Sequence, residues 1–360
     1  MAYQVTILWL KRKEFIMRIP KHLPKGGTIG FVAPSFGCNI EPYKSGFESA
    51  VKKFSDMGYK TDIGPNCFEG AGIGISNTPE KCGDEINEYL GGSKTDAIIS
   101  CGGGELMCEV LDYMDFDKIK KAEPTWYMGF SDNTNLTFLL PTICDMAAIY
   151  APCAPAFGMK KWHKSLYDAF NILTGETDEI SGYDMWEKES LKTEENPLEP
   201  YNVTEKRELK IFSHNEKEKS GEVTIDGRLI GGCLDCLRNL TGTIYDRVCD
   251  FNEKYKDDGI IWFLESCELN NMDMRRAIWQ LEHAGWFEYV KGFLIGRPLY
   301  FGHDDFGLNQ YNAIYDILEE FDVPVIMDLD IGHLPPMMPM VSGAKAHVEV
   351  KGNDIRIKYK

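Results

Sequence analysis

No run of about 18 apolar residues occurs in the 360-residue chain, so no membrane-spanning helix is expected. The opening, MAYQVTILWLKRKEFIM, holds a six-residue apolar run followed by Lys11, Arg12 and Lys13. A secretory signal places its charge before a longer apolar stretch, so no export is expected and the chain reads as cytoplasmic. A start at Met17 would begin a domain cleanly, which leaves open whether residues 1–16 belong to it. Three binding signatures are also missing. The G-x-G-x-x-G of dinucleotide sites fails at Met107, no GKS or GKT follows a glycine turn, and the single CxxC, Cys233 and Cys236, has no second pair at zinc-ribbon spacing. Those two cysteines read as ordinary half-buried residues on a helix. The 11 cysteines are odd in number and scattered, which suits a reducing compartment better than a disulfide framework. Neither metal nor organic cofactor is expected.

Positive charge is also scarce. Lys and Arg number 39 against 56 Asp and Glu, a formal charge of −17 that repels phosphate backbones and argues against a nucleic-acid partner. The 43% apolar and 26% charged fractions are globular values, and the length suggests two domains.

What is present is an alternation of strands and helices. GTIGFVAPS (27–35) reads as a buried strand ending in a loop. Phe47, Ala50, Val51 and Phe54 give helical spacing over 41–57. PEKCGDEINEYLGG is a capped helix stopped by Gly91 and Gly92. DAIISCGGGE (96–105) is a strand running into three glycines, LMCEVLDYMDFDKIKK resumes helical spacing, and TWYMGFSDNTNLTFLL repeats strand, turn and helix. Such alternation implies a parallel sheet covered on both faces, with ligands beyond the carboxyl ends of its strands. From about 160 to 220 the chain is charge-dense and weakly periodic. It reads as a linker or a mobile loop over a site, with Trp186 and Tyr201 either stacking on substrate or packing the loop down. Past Gly221, strands and helices resume, and the end reads as short strands turning at Gly332, Gly343 and Gly352. The expected division is an N-terminal α/β domain over 17–160, a charged linker or lid over 161–220, and a C-terminal domain over 221–360.

Ser131 follows a strand and opens a helix. It is either a helix N-cap or a nucleophile on a sharp turn; the match to G-x-S-x-G stops at Asn133. CGGGE (101–105) is either a tight turn, a phosphate cradle or an oxyanion hole. Among seven histidines, His333 in DLDIGHLPP follows a glycine at a strand end, and a turn that rigid can aim an imidazole. Glu265 ends an apolar strand, where a carboxylate needs a partner: a local arginine such as Arg275 or Arg276, or a catalytic imidazole.

The segments GTIGFVAPS, CGGGE, GFSDNT, GRLIGGCLDCL, FLESCE and DIGHLPP…SGA, in this order over about 27–346, resemble the serine peptidases that include LD-carboxypeptidase (muramoyltetrapeptide carboxypeptidase) and the microcin C immunity peptidases. The resemblance implies a flavodoxin-like N-terminal domain with a parallel sheet, a smaller β-rich α/β C-terminal domain and an active site in the cleft between them. It implies a Ser131–Glu265–His333 triad, with the backbone N–H groups of Asp132 and Gly103 as oxyanion donors. Gly104, Glu105 and Trp186 become candidate substrate contacts. The implied activity is release of D-alanine from murein tetrapeptide in peptidoglycan recycling, with microcin-type hydrolysis of aminoacyl-nucleotide amide analogues as the alternative. An oxidoreductase or a solute-binding protein fits less well. The expected partners are a peptide-like small molecule and a second copy of the chain. Two departures stand out: Cys101 precedes the glycines where the family carries Arg, and LES replaces LED at Ser266.

Overall fold

The first five strands run in spatial order 2-1-3-4-5, the doubly wound arrangement of flavodoxin. The computed structural model describes residues 17–360, so the expectation for residues 1–16 lies outside the described residues. Across the sheet the strands are Lys60–Ile63, Thr28–Val32, Ala97–Ser100, Trp126–Gly129 and Ala148–Tyr150, all parallel. A sixth, Met340–Ser342, comes from near the C-terminus and pairs antiparallel with Ala148–Tyr150. Central strands such as Ala97–Ser100 and Trp126–Gly129 are buried along their whole length, because helices cover both faces.

The helices follow from local chemistry. Thr78 caps Pro79–Leu90 by accepting from the Lys81 amide at 3.4 Å, with Pro79 opening the first turn. The helical spacing over 106–121 does not yield one helix. It splits into a 3₁₀ segment, Met107–Tyr113, and a short helix, Phe116–Lys121, because Asp115 caps the second piece through the Lys118 amide at 2.8 Å.

A second, eight-stranded sheet is built mainly from the C-terminal half. Its parallel centre is Glu222–Cys233, Ile260–Glu265, Val290–Gly296 and Val325–Leu329. Lys345–Lys351 and Asp354–Tyr359 extend it on one side as an antiparallel hairpin. The charge-dense stretch 161–220 supplies more than a linker: it holds the helix Lys164–Thr174 and both edge strands of this sheet, Glu179–Ser181 and Lys210–Phe212. The carboxyl ends of both parallel sheets meet around Ser131.

Candidate active site

Trp126–Gly129 delivers Ser131 into a turn where its φ is +63°, a conformation that side chains rarely adopt. The turn is held from several sides. The Ser131 amide donates to the Tyr150 hydroxyl at 3.1 Å, and the carboxylate of Asp132 accepts from Ser35 Oγ at 2.5 Å and from the Met107 amide at 2.9 Å. Ser35 follows the first strand and Met107 follows the glycine turn, so one buried carboxylate ties three strand ends together. Burial pushes the Asp132 carboxyl above its ordinary range, against the donors around it.

Glu265 is the last residue of Ile260–Glu265 and is 1% exposed. His333 lies in the loop after Val325–Leu329. Its Nδ1 is 2.8 Å from Glu265 Oε2 and its Nε2 is 2.9 Å from Ser131 Oγ. Gly332 makes the approach feasible: at φ +104°, a Cβ there would stand 2.5 Å from Glu265 Oε2. Phe130 covers the imidazole, with ring centroids 5.0 Å apart. The second oxygen of Glu265, Oε1, accepts from the Tyr150 hydroxyl. Burial pushes the Glu265 carboxyl upward, but the facing imidazole and the hydrogen bonds from Tyr150 and Cys233 outweigh it and hold it below its ordinary value. For His333, burial works downward, while the Glu265 carboxylate and the contact with Cys267 work upward and prevail, leaving it well above 6.5.

The glycine turn at 102–104 passes beside the serine. A Cβ on Gly103 would stand 3.0 Å from Ser131 Oγ. The backbone N–H groups of Gly103 and Asp132 donate to no group among the described residues, which leaves both free for an oxyanion. Gly103, Gly104 and Glu105 all line a 450 Å³ cavity that holds Ser131 and His333 and is otherwise mostly apolar. Among the described residues, Lys192 is the one lysine or arginine in that lining. Burial lowers its pKa, with Glu187 opposing.

Six of the sequence-derived candidates therefore converge: Ser131, Glu265, His333, Asp132, Gly103 and Gly104, with Glu105 at the rim. Trp186 does not join them. It is 5% exposed, donates to the Lys206 carbonyl at 3.1 Å, and packs over the Arg297 guanidinium at 4.9 Å and against Phe301. From the same stretch, Lys192 and Tyr201 reach the cavity instead. Tyr150 and Ser35 were not singled out from sequence. Each sits just past or at a strand end, but nothing local sets it apart from a packing residue. Glu265 does not pair with Arg275 or Arg276, which bond to Asp316 and Asp273.

Residues 29–151 match the model of the LD-carboxypeptidase N-terminal domain, and residues 226–348 that of the LD-carboxypeptidase C-terminal domain. The microcin C7 self-immunity protein MccF of Escherichia coli is 25% identical over 344 residues, which cover 93% of this chain and 94% of MccF. Among solved structures, MccF in complex with aspartyl sulfamoyl adenosine superposes with a TM-score of 0.77 at 22% identity, over 95% of this chain and 98% of that one. An MccF-like protein from Bacillus anthracis str. Ames does so with a TM-score of 0.75 at 23% identity, over 95% and 99%. At these identities the structural likeness shows a shared fold.

Proposed function

The chain belongs to the LD-carboxypeptidase family of serine peptidases, and from that premise we propose that Ser131, His333 and Glu265 are its catalytic triad and that it cleaves an amide through an acyl-enzyme. The observation that carries this is the unbroken line from Ser131 Oγ to His333 at 2.9 Å and from His333 to Glu265 at 2.8 Å. His333 Nε2 takes the hydroxyl proton as Oγ attacks the carbonyl. Glu265 holds the tautomer and stabilises the imidazolium. The amides of Asp132 and Gly103 receive the oxyanion. As the C–N bond breaks, His333 returns the proton to the leaving amine, and water, deprotonated by the same imidazole, releases the acid.

His333 lines the 450 Å³ cavity, so the leaving amine lies there. A carboxypeptidase must hold the carboxylate of that leaving residue, and Lys192 supplies a charge for it. The reading is an LD-carboxypeptidase releasing D-alanine from murein tetrapeptide, a cytoplasmic enzyme of peptidoglycan recycling acting as a homodimer, with the nucleophile on the domain over 17–160 and the other two triad members on that over 221–360. No helix among the described residues is long and apolar enough to cross a membrane. A second reading is favoured by the cavity itself: 450 Å³ with apolar walls exceeds what alanine fills and suits the nucleoside part of an aminoacyl-nucleotide amide analogue. The test is incubation of the purified protein with a murein tetrapeptide and with an aminoacyl sulfamoyl adenosine, following products by mass. Loss of D-alanine from the peptide supports the first reading; cleavage of the adenosine compound alone replaces it with the second. Cleavage of neither would sink both.

A further inference from the structure

A cavity of 270 Å³ opens where the hairpin Lys345–Lys351 and Asp354–Tyr359 meets the edge strand Glu179–Ser181. It shares no lining residue with the cavity that holds Ser131 and His333. The hairpin positions that line it alternate with buried Val348, Val350, Ile355 and Ile357, so most of its wall is the solvent side of the sheet.

Arg207 is the exception in that wall, at 3% exposure. Its guanidinium is buried without matching acceptors. Nη1 donates to Asp330 at a long 3.5 Å, Nη2 lies 3.7 Å from Asp354 Oδ1, beyond hydrogen bonding, and Nε has no acceptor among the described residues. Asp330 is already held by Arg297 Nη2 and by the Tyr183 amide at 2.8 Å. The Nε–Nη2 edge of Arg207 therefore stands unsatisfied. That edge grips a carboxylate or a phosphate through two parallel N–H bonds, and a buried donor left without one is costly. The place is fitted to the guanidinium: a Cβ on Gly182 would overlap Arg207 Nη1.

Charge points the same way. Arg207, Lys351 and Arg356 line the cavity against Glu349 and Asp354. Arg356 pairs with Glu179 at 3.3 Å, whereas Lys351 makes no ion pair among the described residues. An excess of cations is unexpected in a chain of formal charge −17. The carboxylate nearest the open edge, that of Asp354, is 89% exposed and free to turn into solvent.

We propose that this cavity binds a small oxyanion, a carboxylate or a phosphate, gripped by the Nε–Nη2 edge of Arg207 and by Lys351 in place of Asp354. The site stands apart from the triad and does not rest on it. Asp330, the other neighbour of Arg207, opens the loop that carries His333, so an occupied site adds to the anchoring of that loop.

The test titrates the full-length protein by calorimetry with inorganic phosphate and, separately, with acetate, at constant ionic strength in chloride. One equivalent should bind with a Kd on the order of 1 mM. Lys351→Ala should weaken binding about two- to fivefold and Asp354→Asn should tighten it by about as much, the range of exposed charge contacts. Arg207→Lys keeps the charge but loses the fork, and should bring binding below detection. Should that buried substitution unfold the chain, the two surface variants decide. Lys192→Ala, in the cavity at Ser131, should leave anion binding unchanged. Binding of either anion supports the site, and the tighter of the two names the ligand as phosphate or carboxylate. Binding of neither, binding indifferent to Lys351→Ala and Asp354→Asn, or binding lost in Lys192→Ala overturns the proposal.

Discussion

Tyr150 and Glu265 stand 115 positions apart in the chain, yet the phenol donates to the carboxylate while its oxygen accepts the Ser131 amide. The backbone of Ser131 and the buried acid are thereby joined without passing through the imidazole. Tyr150→Phe should keep the fold, since the ring still packs against Phe263, but deprive a buried carboxylate of a donor. Hydrogen bonds to charged groups are worth about 1.5–3 kcal/mol, so kcat should fall roughly 10- to 100-fold with KM little changed. Steady-state kinetics with circular dichroism checks this; an unchanged kcat removes Tyr150 from the catalytic apparatus.

The pH profile should carry the mark of the His333–Glu265 pair. A general base works only when neutral, and His333 is held well above 6.5 by Glu265 against burial, with Cys267 assisting. The acidic limb of kcat/KM should therefore lie above pH 6.5, with activity rising as pH climbs through the raised pKa. Glu265→Gln removes the charge that raises it, so the limb should move to lower pH while the plateau drops by orders of magnitude. A limb that stays in place in that variant would contradict the pairing.

Neighbouring glycines should respond differently to the same methyl group. On Gly103 it would stand 3.0 Å from Ser131 Oγ, so Gly103→Ala should cost mainly activity. On Gly104 it would stand 2.1 Å from Ser35 Oγ at φ +153°, a backbone that alanine resists. Gly104→Ala should lower Tm by several degrees as well, at about 1–3 kcal/mol. Thermal melts and rates on both variants separate the two effects.

Trp186 should behave as a core residue. With its ring over Arg297 and at 5% exposure, Trp186→Ala should cost about 3–5 kcal/mol of stability and leave the ratio of rates between two substrates unchanged. Lys192→Ala should do the opposite, raising KM for a substrate with a leaving carboxylate at nearly constant Tm. Urea unfolding and substrate ratios decide between them.

Much of this site could be read from the chain because each key residue ends or closely follows a strand inside a short, unusual motif. GFSD, FLES and DIGH each put a reactive group where a parallel sheet exposes it, and the strand-to-glycine run at 97–104 marks the turn beside them. What escaped depends on contacts between distant segments. Ser35 and Met107 matter only because both reach the Asp132 carboxylate. The strands Glu179–Ser181 and Lys210–Phe212 are three residues each and exist by pairing with Asp354–Tyr359 and Val325–Leu329, too short to show a period of their own. Trp186 misled because a charge-dense run looks solvated; the buried Arg297 beneath it gives no sign in the local sequence.

The central claim is that Ser131 is a hydroxyl activated by His333. It is tested without choosing a substrate, by treating wild type, Ser131→Ala and His333→Ala with a fluorophosphonate and mapping the adduct by peptide mass. A single adduct on Ser131 in the wild type, absent from Ser131→Ala and strongly slowed in His333→Ala, is the predicted result. An adduct on another residue, or labelling of Ser131 at the same rate without the imidazole, would contradict it.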